Sequence, residues 1–218
     1  MRRFFSRSKT RTVPILIGIN LLVFMAWHSV KTEAGFQFMA EHFLVSWTGL
    51  MQGHYETLIT SVFSHNMFWH FLINMLVLAS FGPPMEMTLG TRRFLIFYFA
   101  AGIFSSFSHS FLSAFLLKAP HLQALGASGA LSGMVLLFSL LYPKERILIF
   151  GLIPVPALWG ALFFVGLDLW GLSAQAEGGG LPIGHGAHLG GAFVGFVYYL
   201  YLRQKKRKFE RLRQQVPL

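Results

Sequence analysis

The chain has 218 residues, of which 54% are hydrophobic and 12% charged, far below the roughly 25% charge that a soluble domain uses to face water. The absence of cysteine excludes disulfides and thiolate catalysis. A net charge of +10 would suit a nucleic-acid binder, but the basic residues sit at the two ends and in turns, where membrane topology is signalled, so nucleic acid is not expected as a partner.

Apolar runs of spanning length define an all-α, polytopic membrane protein with a lipid bilayer as its solvent. Residues 1–12 hold Arg2, Arg3, Arg7, Lys9 and Arg11 with no acid and form a basic, cytoplasmic N-terminus. The apolar run Val13 to Val30 is too long for a signal-peptide core and lacks a clean small-x-small cleavage site, so it is the first membrane helix. Residues 31–60 mix bulky aromatics with polar groups, the pattern of a segment lying in the interface.

The second helix is expected from Leu58 to Phe81, stopped by Gly82-Pro83-Pro84, with Glu86, Arg92 and Arg93 marking a short turn. The third runs from Phe94 to Leu117, ending at Lys118-Ala119-Pro120. Next comes Leu125-Gly126-Ala127-Ser128-Gly129, and a fourth helix of about fourteen residues to Tyr142. Fourteen residues rise ~21 Å, short of a hydrocarbon core of ~30 Å. Its Ser128 end therefore lies below the membrane surface. Ile147 to Ile153 is read as interfacial, the fifth helix as Val155 to Leu172, and residues 173–184 as a flexible Gly-rich loop. His185 to Leu202 is the sixth helix, and residues 203–218 form a basic cytoplasmic tail. The six-helix membrane domain is thus 13–202.

Orientation follows from the cations. Five lie in 1–12, two in 82–93, two in 143–146 and seven in 203–218; only Lys31 and Lys118 fall on the other side. Sixteen of eighteen on one side is a positive-inside pattern for six helices with both ends in the cytoplasm. It puts His65, His70 and Asn74, Ser128, and His185 and His188 at the outward-facing starts of helices two, four and six.

Polar and ionisable groups at membrane depth are expensive and by default mark a site. Ser128 by itself could simply pack or bond back to its own helix. Gly126 and Gly129 leave its backbone open to a substrate carbonyl, and a helix start aims free N–H groups and the positive dipole end at a developing oxyanion. His188 reads as a packed core histidine, as one of a metal pair with His185, or as a general base. A zinc site wants three or four ligands, no His-Glu-x-x-His occurs, and Asp168 is the single aspartate; metal is unsupported and no cofactor is expected. Small-xxx-small spacings at Gly186/Gly190 and Gly191/Gly195, facing Gly129/Gly133 and Ser128/Ser132, allow helices four and six to touch backbone to backbone. His188 then reaches Ser128 as general base to nucleophile. His70 and Asn74, at i and i+4, are either interhelical glue or donors to the oxyanion together with the Ser128 amide. His65 lies toward the outer end and reads as structural.

Gly-Ala-Ser128-Gly, Ala-His188-x-Gly-Gly and His65-x4-His70-x3-Asn74 jointly resemble the rhomboid intramembrane serine proteases, over about residues 55–200. The resemblance implies a six-helix rhomboid-like bundle of the minimal form and a Ser128–His188 dyad without an aspartate. It also implies an oxyanion site from His70, Asn74 and the Ser128 amide, with transmembrane proteins as substrates, cleaved near a small residue where a helix unwinds easily. The long first loop would be the family's interface-embedded loop, and the fifth helix with 173–184 its gate and cap. Many members carry Trp-Arg in the first loop where this chain has Tyr55-Glu56-Thr57, which bears on lipid contacts rather than on chemistry. Asp168, toward the far end of helix five beside Trp170, is left as structural. The compact chain with its basic start suits a bacterial inner membrane, with the site opening to the outer face. Two other functions fit parts of the pattern: a catalytically inactive, client-binding relative, and a small transporter using the histidines as a relay.

Overall fold

The computed structural model describes residues 10, 12–149 and 152–215, with the side chains of Ile149 and of residues 209–215 outside the description. The basic cluster at Arg2, Arg3, Arg7, Lys9 and Arg11 lies outside the described residues. Among the described residues nine α-helices follow in order: α1 (Thr12–Ser29), α2 (Glu33–Phe43), α3 (Trp47–Met51), α4 (Thr57–Thr60), α5 (Phe68–Leu89), α6 (Thr91–Phe115), α7 (Ser128–Leu141), α8 (Ala157–Ala176) and α9 (His185–Gln215). A 3-10 turn at Ser61–Phe63 precedes α5, and a two-stranded antiparallel hairpin, β1 (Arg146–Ile149) and β2 (Ile153–Pro156), precedes α8. Among the described residues, α1, α5, α6 and α8 are long and apolar enough to cross a membrane, and α7 is a shorter apolar helix of 14 residues. The fold is mostly helical and the chain is a polytopic membrane protein.

Helix α7 is the centre of the molecule. Its Met134 and Leu137 are fully buried among Leu78 of α5 and Phe94, Tyr98 and Ala101 of α6. The peripheral helices bury one stripe only. In α1, Val13, Leu16, Asn20 and Trp27 face inward, while Ile15, Leu22 and Met25 stay exposed on an apolar outer face. Exposed leucine, phenylalanine and tryptophan on α8 have the same reading, since lipid tails need no polar cover.

Several expected boundaries move. The second helix does not start at Leu58; α4 and the 3-10 turn occupy that stretch, and extended backbone at Ser64 and Met67 separates them from α5. Tertiary polar contacts hold this break open. The Trp27 indole N–H donates to Ser64 Oγ at 2.7 Å, and the Ala127 N–H lies 3.4 Å from His65 Nε2. Nor does Gly82-Pro83-Pro84 stop the helix, which runs through both prolines to Leu89. Each proline removes one donor, a loss a packed membrane helix accommodates through its neighbours and hydroxyl side chains. Glu86, expected in a turn, is instead a buried helical residue whose Oε1 accepts from Thr12 Oγ1 (2.6 Å) and Thr91 Oγ1 (2.8 Å). One carboxylate thereby ties α1, α5 and α6 at their common end.

The stretch expected to lie in the interface after α7 is the β1–β2 hairpin, with Ile147 buried. At the chain's other end, α9 passes the expected stop at Leu202 and continues to Gln215. Its Lys, Arg and Gln residues are good helix formers, so the basic tail extends the helix as far as it is described.

Candidate active site

Ser128 opens α7, and the segment before it is fixed from three sides. Val45 and Ala124 exchange backbone hydrogen bonds (2.9 and 2.8 Å), and the Thr48 N–H donates to the Pro120 carbonyl at 2.9 Å. The Gly126 N–H donates to the Ser61 carbonyl at 2.8 Å. His109, buried on α6, bonds through Nε2 to the Leu122 carbonyl at 3.2 Å. The long first loop, the 3-10 turn and α6 thus set where the chain enters α7.

Gly126 has φ +115°, a conformation that side-chain-bearing residues rarely adopt, and a methyl group there would stand 2.6 Å from His70 Cε1 and 2.9 Å from His70 Nε2. The His70 ring therefore lies against the backbone two residues before the serine. At the start of α7 the first backbone N–H groups have no partner within the helix, and their dipoles point toward the Ser128 side.

His188 comes from the first turn of α9, and its Nε2 is 2.9 Å from Ser128 Oγ. Small residues create this approach. A methyl group on Gly133 would lie 2.5 Å from the Gly191 carbonyl oxygen, and one on Gly191 or Gly195 would overlap the carbonyl of Gly129 or Gly133. Of the two expected stripes on α9, Gly191/Gly195 faces α7. Gly186 and Gly190 face α6 instead, against Leu112 and Ser108. Gly129 is close to Ser105 of α6 as well as to Ala187 of α9, so it serves packing as much as backbone access.

The expected site residues differ in how the fold uses them. Ser128 and His188 are in direct contact. His70 borders the pair through Gly126, and its ring centroid is 5.1 Å from that of His65. Asn74 is buried and donates one amide hydrogen to the His70 carbonyl of its own helix at 2.8 Å, which leaves a second hydrogen on the same nitrogen. His65 is fully buried, with its Nε2 against the Ala127 amide.

Two residues carry more than their sequence context conveyed. His109 belongs to no motif, although an ionisable residue at membrane depth is itself a signal. Asp168 of α8, expected to be structural, has its Oδ1 3.0 Å from His188 Nδ1 and 2.7 Å from His185 Nδ1. No spacing rule connects position 168 to 188; only the packing of α8 on α9 does.

A polytopic helical membrane protein with a serine and histidine in hydrogen-bond contact at the start of a short central helix is the class that this fold and site define. The chain belongs to the rhomboid family: residues 52–205 match the Rhomboid domain. It is 34% identical over 220 residues to "Rhomboid protein 1, mitochondrial" of Saccharomyces cerevisiae, covering 97% of this chain and 59% of that protein. It is 30% identical over 206 residues to "RHOMBOID-like protein 12, mitochondrial" of Arabidopsis thaliana, covering 89% and 59%. Against the human "Presenilin-associated rhomboid-like protein, mitochondrial" it is 30% identical over 196 residues, covering 88% and 48%. The chain therefore spans about half to three fifths of the length of these relatives. Their names place them in mitochondria and lend no support to a bacterial inner membrane for this chain.

Proposed function

We propose that this protein is an intramembrane serine endopeptidase that cleaves single-pass membrane proteins in or near their membrane segment. The observation that carries the proposal is the 2.9 Å contact between His188 Nε2 and Ser128 Oγ, in a chain of the rhomboid family. His188 takes the hydroxyl proton as Ser128 Oγ attacks the substrate carbonyl. The tetrahedral oxyanion is met by the Ser128 amide and by donors from His70 and Asn74. His188 then protonates the leaving amine. In the second half it activates a water that hydrolyses the acyl-enzyme and returns the proton to Ser128. No metal or cofactor takes part in this chemistry.

In this reading α1, α5, α6, α7, α8 and α9 are the six membrane segments of a domain covering 13–202, and residues 1–12 and 203–218 flank it on the cytoplasmic side. The positive-inside distribution supports that orientation, with the Ser128 end of α7 toward the outer face. A helix of 14 residues rises only ~21 Å, so an aqueous opening on that side supplies the hydrolytic water. The family's substrate class, membrane-spanning helices that unwind near a small residue, fits a nucleophile sunk below the surface. The inactive, client-binding alternative gives no reason for the serine–histidine contact, and the transporter alternative gives none for a serine at a glycine-flanked helix start.

The test is cleavage of a model single-pass substrate by the purified full chain in liposomes, wild type beside Ser128→Ala. Cleavage by the wild type and its loss in a folded Ser128→Ala protein is the expected result. An inert wild type that also refuses a serine-directed fluorophosphonate, or equal cleavage by both proteins, would overturn the proposal.

A further inference from the structure

Among the described residues, Asp168, His185 and His188 bring one carboxylate oxygen and two imidazole nitrogens within 4.8 Å of one another. The Asp168 side chain is 14% exposed, and those of His185 and His188 are 7% and 20% exposed. Asp168 is the chain's single aspartate and sits between lipid-facing neighbours, since Leu167, Leu169 and Trp170 are all exposed. An acid in that position is expensive unless something is gained from it.

We propose that Asp168 is a positioning residue for His188, braced by His185, so that the working unit is Ser128–His188–Asp168 rather than a dyad. The proposal rests on the serine-protease reading above. An ionised carboxylate only accepts hydrogen bonds. With both Nδ1 atoms on the same Oδ1, at 2.7 and 3.0 Å, each contact is favourable only when the imidazole carries its proton on Nδ1. Neutral His188 then has its lone pair on Nε2, the atom facing Ser128 Oγ at 2.9 Å. That is the tautomer a general base needs, and the partner of Nδ1 is what selects it. When His188 takes the serine proton, the resulting imidazolium lies beside the carboxylate, which stabilises the charge as it forms.

His185 has a distinct part. A methyl group on Gly171 of α8 would overlap the His185 ring, so the ring lies flat on the α8 backbone beside Asp168. Its Nε2 is buried and has no hydrogen-bond partner among the described residues. A proton there would be buried without an acceptor, whereas one on Nδ1 has Asp168 Oδ1 at 2.7 Å to accept it. His185 therefore holds the carboxylate rotamer by one hydrogen bond.

The same three atoms are also a plausible divalent-cation set, and the two arrangements exclude each other. A metal on His188 Nδ1 needs the lone pair there, which moves the proton to Nε2 and removes the base.

The experiment uses the full chain in liposomes with the model substrate and compares wild type with Asp168→Asn. The asparagine is isosteric and keeps an acceptor oxygen but no charge, so it tests the stabilisation of the imidazolium; Asp168→Leu removes the acceptor as well and tests the tautomer. The expected result for Asp168→Asn is a kcat at least ~10-fold lower, in the direction of the ~10⁴-fold carried by the carboxylate of soluble serine triads, with KM and melting temperature unchanged. In parallel, 15N spectra of histidine-labelled protein should show His188 protonated at Nδ1 in the wild type and displaced toward Nε2 in Asp168→Leu. That readout is independent of activity, so it tests the Asp168–His188 contact even if the wild type proves inert and the protease reading fails. A kcat within twofold of wild type in folded Asp168→Asn, or an unchanged tautomer in folded Asp168→Leu, would overturn the proposal. So would cleavage lost on adding EDTA and regained with zinc, which would make the cluster a metal centre.

Discussion

The proposed role of Ser128 depends on the glycine two places before it. At φ +115° and with His70 against its α-carbon, Gly126 carries a backbone turn that a β-carbon would strain by roughly 1–3 kcal/mol and the ring contact would worsen. Gly126→Ala is therefore expected to move both Ser128 and His70: kcat should fall by more than tenfold and the melting temperature should drop, measured by substrate cleavage and thermal unfolding in detergent. Unaltered kinetics would mean that the turn tolerates the methyl and that His70 is not held through it. The polar residues around it were readable because each is out of place in a membrane. Their partners were less so. The Asn74 amide bonds back four residues within its own helix, a local contact, whereas Asp168 finds His188 across twenty positions, a contact that belongs to no local pattern.

At the scale of elements, the α7–α9 seam decides whether His188 reaches Ser128 at all. Both helices present small residues, and the Gly191 α-carbon faces the Gly129 carbonyl so closely that an added methyl overlaps backbone. Backbone cannot rotate away as a side chain can, so Gly191→Ala should cost about 1–3 kcal/mol through overpacking, with activity lost as the helices separate. Gly18 of α1 is the control, since a methyl there meets nothing within 4 Å; Gly18→Ala should leave melting and cleavage unaltered. A Gly191→Ala protein as stable and active as Gly18→Ala would show that the seam is looser than the geometry requires. The order of the long apolar helices was legible from run lengths, whereas neither end of α5 was. The prolines at 83 and 84 read as a stop because local rules count lost donors; surrounding helices and hydroxyl side chains carry α5 past them. The polar stretch from Ser64 to Met67 read as helix because its hydrogen-bond partners, Trp27 and Ala127, come from distant segments.

Across the whole molecule, the first loop is a structural wall behind the site rather than a linker. Its Val45 pairs with Ala124 just before the serine, and its own shape is held in part by a cluster outside the spanning helices. Glu56 Oε1 is 2.8 Å from His42 Nδ1 and 3.3 Å from His54 Nδ1. The hydrogen bond with His42 is the largest of several influences that hold the Glu56 carboxyl below its ordinary value of 4.5, and His54 adds a smaller one. A depressed folded-state value means stability that is present above 4.5 and lost as pH falls through the lower folded value. Because the group is largely exposed, the contribution is small, below ~1 kcal/mol. Glu56→Gln should therefore melt slightly below wild type at neutral pH, with the difference closing as pH falls below 4.5; a gap that widens in acid would contradict the assignment.

Composition and patterning alone determined a polytopic helical membrane protein and a short apolar helix beginning at Ser128, and the distribution of lysine and arginine is what the proposed orientation rests on. These follow because hydrophobic run length, charge asymmetry and glycine spacing are local quantities that the bilayer reads directly. Only the tertiary structure decided which face of α9 meets α7, where α5 begins and ends, and that Asp168 shares its oxygen between two histidines. Those outcomes depend on side chains brought together from separate helices, and one-dimensional spacing does not contain them. Ser128 stood out in the sequence because it was strange there; the fold adds its hydrogen-bond partner, His188, and the Asp168 carboxylate behind that partner.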